Sequence, residues 1–145
     1  MSEAEAHSPN RHPLGQSVEF RVAAKLENLA VVRTLVTALT TLEDLDLDAV
    51  ADLRLAVDEA CTRLIRCSTP DATLVIGVVP HVSELVITAS APCMDEDILR
   101  PGTFSWHVIS SLTDEVTVFH NGVEVADQGR VFGITMTARR LVSNT

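Results

Sequence analysis

Glu59 and Arg63 stand four residues apart in the stretch LRLAVDEACTRLIRC, Leu53 to Cys67. On a helix that spacing puts a carboxylate and a guanidinium on one face, with the acid N-terminal, the favourable order. If exposed, such a pair stabilises the helix by only about 0.3–0.5 kcal/mol. In a partly buried site the carboxylate is held ionised and bridged, and so is poorly free to act as a base. Arg63 brings five donors and no acceptor. That suits pairing with phosphate oxygens and rules out ligating Mg²⁺, which demands oxygen ligands. A second candidate is the turn Pro101-Gly102-Thr103-Phe104-Ser105-Trp106. A helix starting after Gly102 with Thr103 as its N-cap presents amides that attract an anion. The plainer reading is a capped helix whose Phe104 and Trp106 fill space. Cys61, Cys67 and Cys93 form no close CxxC pair, which speaks for quiet thiols in a reducing cytoplasm rather than a disulfide framework or zinc ribbon. The histidines, His7, His12, His81, His107 and His120, show no ligand spacing either.

These residues need a scaffold. The chain has 145 residues, 46% of them hydrophobic, enough for one packed domain. Only 3% are aromatic, so the core must be Leu, Val, Ile and Ala. A net charge of −9 repels phosphate backbones and disfavours direct nucleic-acid binding. No run of about eighteen apolar residues suggests a membrane span. The opening MSEAEAHSPNRHPLGQ carries no apolar stretch; residues 1–16 read as a flexible tail and 17–142 as the folded domain, in the cytoplasm.

Val18, Phe20 and Val22 alternate with Glu19 and Arg21, a half-buried strand. Lys25 to Thr41 has helical spacing through Leu26, Leu29, Ala30, Val36 and Leu39, and Val31, Val32 and Leu35 widen its apolar arc. Such an arc suits a helix buried on two sides or one that meets a partner chain. A second helix runs from Asp46 or Asp48 to Cys67, with Leu53, Val57, Ala60 and Leu64 as its stripe. Thr73–Val79 and Leu85–Ala91 read as a hairpin. The stretch from Pro92 to Gly102 reads as a loop, and Phe104–Leu112 as a short helix with Phe104, Val108, Ile109 and Leu112 inward. Glu115–Phe119 follows as a strand, Asn121-Gly122 as a turn, and Phe132, Ile134, Met136 and Ala138 as a clean last strand. The order implies an α+β two-layer sandwich, a mixed, mostly antiparallel sheet with three helices on one face.

The helix LRLAVDEACTRLIRC resembles the first box of the GHKL ATPases, nearest to the RsbW/SpoIIAB family of bacterial anti-sigma factors, where the box reads roughly LxxAVxEAxTNAIxH. Asp58-Glu59-Ala60 and Thr62 fit it. Glu27-Asn28-Leu29 with Arg33 resembles the family's first helix, TDEVTVF its DEVxV strand and GITMTARR its last strand. The likeness runs from Val18 to Arg140 and is nearest to actinobacterial members that control a stress-response sigma factor. It implies a GHKL (Bergerat) fold and a homodimer that holds a sigma factor away from RNA polymerase. It also implies release by an anti-anti-sigma factor of STAS type. Active members are serine/threonine kinases that phosphorylate that antagonist with ATP and Mg²⁺. The resemblance places partner contact on Asn28, Val32 and Arg33, and makes Glu59 the position of the family's base.

The departures decide the expectation about chemistry. Arg63 stands where the family has the Asn that binds Mg²⁺; from there its guanidinium either bridges Glu59 or replaces the metal and pairs with nucleotide phosphates. The second box, an Asp-x-Gly-x-Gly in the family, is TASAPCMDEDIL here: Ala89 or Ser90 takes the place of the Asp, Asp95 is out of register, and no glycine follows before Gly102. The third box keeps one glycine and turns bulky, leaving Arg63, Gly102 and Thr103 as remnants of a nucleotide site. The expectation is an anti-sigma factor with Glu59 catalytically idle, no bound cofactor beyond weak ATP/Mg, and no metal of its own. The alternative is an active kinase of the same family.

Overall fold

The computed structural model describes residues 16–94, 99–120 and 130–140. Residues 1–15 of the tail, Asp95, the Asn121-Gly122 turn and the last residues assigned to the domain lie outside them. The first strand, β1 (Val18–Ala23), leads through a 3-10 turn (Leu26–Asn28) into α1 (Leu29–Thr41). Then come α2 (Leu47–Cys67), β2 (Thr73–Pro80), β3 (Glu84–Cys93), α3 (Phe104–Leu112), β4 (Glu115–His120) and β5 (Arg130–Arg139). The strands form one five-stranded sheet in the order β1-β2-β3-β5-β4. All four pairings are antiparallel, so the sheet is not mixed as the sequence suggested.

α2 is the organising element. Asp46 caps it, its carboxylate accepting from the Ala49 amide at 2.6 Å, and Asp48 sits in the first turn, where the helix dipole favours a carboxylate. Leu53, Val57, Ala60 and Leu64 form the expected stripe and are all 0–1% exposed. They meet Leu74, Ile76, Leu85, Ile87, Ile134 and Met136, each 0% exposed on the sheet's helix-facing side. The alternation that buries these residues turns Val75, Gly77 and Val79 of β2, Thr88 and Ser90 of β3 and Thr135 of β5 to the other face, where they are half-buried. None of these carries a charge. Phe119 lies across that face over Gly133, where an added Cβ would come within 2.0 Å of its ring.

Two helices depart from the expected packing. α1 buries Val32, Val36 and Thr40. Leu26, Val31 and Leu35 are 49, 44 and 39% exposed, and Ala30 is exposed too. Leu29, Val36 and Leu39 of the expected stripe pack on the core, whereas Leu26, in the 3-10 turn, and Ala30 do not. In α3, Ile109 is buried while Phe104, expected inward, is 79% exposed. Phe104 is the first residue of the helix and overhangs its end. β3 also runs on through Pro92 to Cys93. Pro92 has no N–H to donate, and its carbonyl accepts from the Thr69 amide at 3.0 Å. At the far end of the sheet Arg140 donates to the Glu43 carbonyl, to Glu43 Oε1 at 2.9 Å and to the His81 carbonyl at 2.9 Å. It ties the α1–α2 connection to the β2–β3 turn.

Candidate functional site: the polar flanks of the second helix

The residues that could do chemistry lie along the edges of the buried α2 stripe, where Asp58, Glu59, Thr62 and Arg63 are all half-buried. Consecutive helical residues differ by about 100° around the axis, so Asp58 and Glu59 look to different neighbours. Arg33 of α1 donates through Nη2 to Asp58 Oδ1 at 2.7 Å, with side chains 45 and 33% exposed. Glu59 Oε2 accepts from the Ser105 hydroxyl of α3 at 2.6 Å. The Thr62 hydroxyl donates back to the Asp58 carbonyl at 2.7 Å.

The other expected residues fall into place around these contacts. Asn28 Nδ2 donates to the Ala23 carbonyl at 2.8 Å and pins the β1–α1 corner. Val32 does not fit a partner surface: it is 1% exposed inside the core, and a residue without accessible area has none to offer. The apolar residues that α1 does expose are its neighbours Val31 and Leu35. Gly102 has φ +93, a left-handed conformation that glycine adopts without a Cβ penalty. Thr103 caps α3 as expected, accepting from the Trp106 amide at 3.3 Å while its hydroxyl donates to the Arg100 carbonyl at 2.7 Å.

The three cysteines are free thiols. Burial, and secondarily the charge of Asp58, push the Cys61 thiol up to about 12. A thiol so held is neutral and inert at physiological pH. Cys67 and Cys93 both donate to the Leu64 carbonyl, at 3.4 and 3.8 Å. Among the described residues no cluster of His, Cys, Asp and Glu forms a metal site.

At the position of the family's magnesium-binding Asn, Arg63 supplies only donors and so no metal ligand. The Glu59 oxygen Oε2 accepts from Ser105, and the Trp106 amide donates to the Thr103 cap. Sequence reasoning missed Ser105, because nothing in its local pattern links it to a carboxylate 46 positions earlier. It also gave Asp58 no role, although the pairing with Arg33 joins two motifs that had been noticed separately.

A family model for the histidine kinase-like ATPase domain matches residues 22–139. The chain is 54% identical over 144 residues to the anti-sigma-F factor RsbW of Mycobacterium tuberculosis, in strains CDC 1551 / Oshkosh and ATCC 25618 / H37Rv. That match covers 99% of this chain and 86% of the relative. The chain belongs to the histidine kinase-like ATPase family and, within it, to the RsbW anti-sigma factors. Its fold is also that of a crystal structure of the RsbU and RsbW domains of a Mycobacterium tuberculosis protein, at TM-score 0.66 and 13% identity. The likeness covers 90% of this chain and 35% of that longer one. It bears on the fold alone. None of the helices described is long and apolar enough to cross a membrane.

Proposed function

We propose that this RsbW homologue sequesters a stress-response sigma factor in the cytoplasm and releases it to an anti-anti-sigma factor of STAS type, with little phosphoryl transfer of its own. The 54% identity to an anti-sigma-F factor across 99% of the chain carries the reading. The exposed flank of α1 supports it: Val31 and Leu35 offer apolar area beside Arg33, whose ion pair with Asp58 is open to solvent. An acidic chain of net charge −9 also suits a basic, DNA-binding partner. The uncharged centre of the sheet's outer face, around Val75, Gly77, Thr88 and Thr135, is the seat we assign to the second copy in a homodimer, with Glu19, Arg21, Glu84, Glu115 and Arg139 at its margins. Weak kinase chemistry follows from the donors described above, since phosphoryl transfer depends on placed Mg²⁺ and positioned phosphates.

The test is a titration of the purified chain with its sigma factor, with and without Mg-ATP, followed by addition of the antagonist and labelled ATP. A stoichiometric complex under both conditions and little phosphoserine are expected. No complex with any sigma factor of the cell would refute sequestration. Rapid stoichiometric phosphorylation of the antagonist would refute the degenerate site and restore the kinase reading.

A further inference from the structure

In the contact between Ser105 and Glu59 the hydroxyl donates to the carboxylate. The oxygens are 2.6 Å apart, within the short range of O–H to carboxylate bonds. Ser105 is only 9% exposed, so water competes weakly for its hydroxyl, while Glu59 is half-buried. The second residue of α3 is thereby fastened to the polar flank of α2. The fastening is built in: the left-handed turn at Gly102 aims the chain, and Thr103 caps the helix by accepting from the Trp106 amide while donating to the Arg100 carbonyl of the turn before it. A hydroxyl or metal-bound water approaching Glu59 Oε2 would have to share that oxygen with Ser105 or displace it.

We propose that Ser105 is a positioning residue that plugs Glu59 from within the chain and is a separate obstacle to nucleotide binding from Arg63. This rests on the reading of the Glu59 region as a former nucleotide site. It goes further by assigning part of the loss to a residue outside the three degenerate boxes' missing ligands. Arg63 withholds a metal ligand; Ser105 engages one oxygen of the carboxylate and fixes its orientation. Restoring one without the other leaves the site closed, so the two changes act together rather than additively.

The experiment compares four full-length proteins, the natural chain, Arg63→Asn, Ser105→Ala and the double variant, for binding of a fluorescent ATP analogue with Mg²⁺. Sigma binding and thermal midpoint serve as checks on folding. The double variant is expected to bind at least about tenfold more tightly than Arg63→Asn alone. Ser105→Thr in the Arg63→Asn background keeps the hydroxyl and is expected to remain weak, an outcome that mere loosening of α3 would not give. A double variant no tighter than Arg63→Asn overturns the plug. If Ser105→Ala does not fold, Ser105→Cys, with its weaker donor, takes its place under the same criterion. Tight Mg-ATP binding by the natural chain would defeat the degenerate-site reading itself, a result distinct from the absence of a gain in the double variant.

Discussion

Asp58 and Glu59 are adjacent acids on one helix, and the contrast between them organises the molecule. Asp58 faces α1, and its partner Arg33 is 45% exposed. An ion pair so open to water is worth only about 0–1 kcal/mol; it is cheap to break and exchange for a partner's groups. Glu59 faces α3, and its partner Ser105 is 9% exposed. A shielded hydrogen bond to a charged group is worth about 1.5–3 kcal/mol. One flank of α2 is therefore an exchangeable surface and the other a fastened seam. The two contacts are separable because consecutive residues on a helix diverge.

Both flanks hang on the same buried stripe, and the largest expected effect is to break them together. Leu64, 0% exposed beneath them, should cost about 2–5 kcal/mol when cut to Ala. Urea unfolding should show the loss, with sigma binding falling in step with the folded fraction. If sigma binding vanished while stability held, Leu64 would belong to the interface and not to the shared support.

A smaller effect comes from Cys61, which lies on the stripe but feels Asp58. The folded state holds the neutral thiol, with its value raised from 9.0 to about 12. The unfolded chain ionises near 9.0, so the stability that Cys61 contributes is complete below pH 9 and drains as pH rises toward 12. Unfolding midpoints should fall across that window, and Cys61→Ala should flatten the fall. Asp58→Asn should narrow the window slightly from its upper end, since burial remains the larger cause. An equal decline in Cys61→Ala would place the titrating group elsewhere.

Next in size is the open flank alone. Arg33→Ala should weaken sigma binding by about tenfold, or about 1.4 kcal/mol, while changing stability by less than about 1 kcal/mol. Arg63→Ala should leave sigma binding nearly intact. Calorimetric titration of both variants checks the assignment; the reverse pattern would move the partner surface to the α3 flank.

How legible these flanks were in the sequence follows from their physics. Periodicity identified α2 and its stripe because Leu53, Val57, Ala60 and Leu64 repeat at helical spacing and all turn inward. It placed β5 through Phe132, Ile134, Met136 and Ala138 because alternation there is strict. At α1 it succeeded in part: Leu29, Val36 and Leu39 pack on the core as their spacing implies, Leu26 in the 3-10 turn and Ala30 stay exposed, and of the residues that widen the arc only Val32 is buried. It failed at Phe104, since a hydrophobic residue at a helix end obeys the end's geometry before the helix's period. The expected mostly antiparallel sheet under three helices is the one observed; only its mixed character is absent, because strand direction depends on pairing, which no local pattern carries. The Glu59 contact was out of reach for the same reason. An i,i+4 partner such as Arg63 is visible in one dimension, whereas Ser105 becomes a neighbour only when α3 docks on α2.

The smallest expected effect tests how firmly the seam is held. Thr103→Ala removes the cap of α3, at a cost of about 0.5–2 kcal/mol. Ser105 sits in the turn that this cap organises, so its hold on Glu59 should loosen without being lost. In the Arg63→Asn background, Thr103→Ala should therefore raise nucleotide affinity in the same direction as Ser105→Ala, but by less. Thr103→Ser, which keeps the hydroxyl, should not. Hydrogen exchange at the Trp106 amide gives the direct readout, because that amide donates to Thr103 Oγ1 at 3.3 Å. Faster exchange at Trp106 with unchanged affinity for the sigma factor would show a seam that opens independently of the partner flank. Unchanged exchange would mean that the cap does not secure the turn, leaving Ser105 to hold α3 against α2 by its own hydrogen bond.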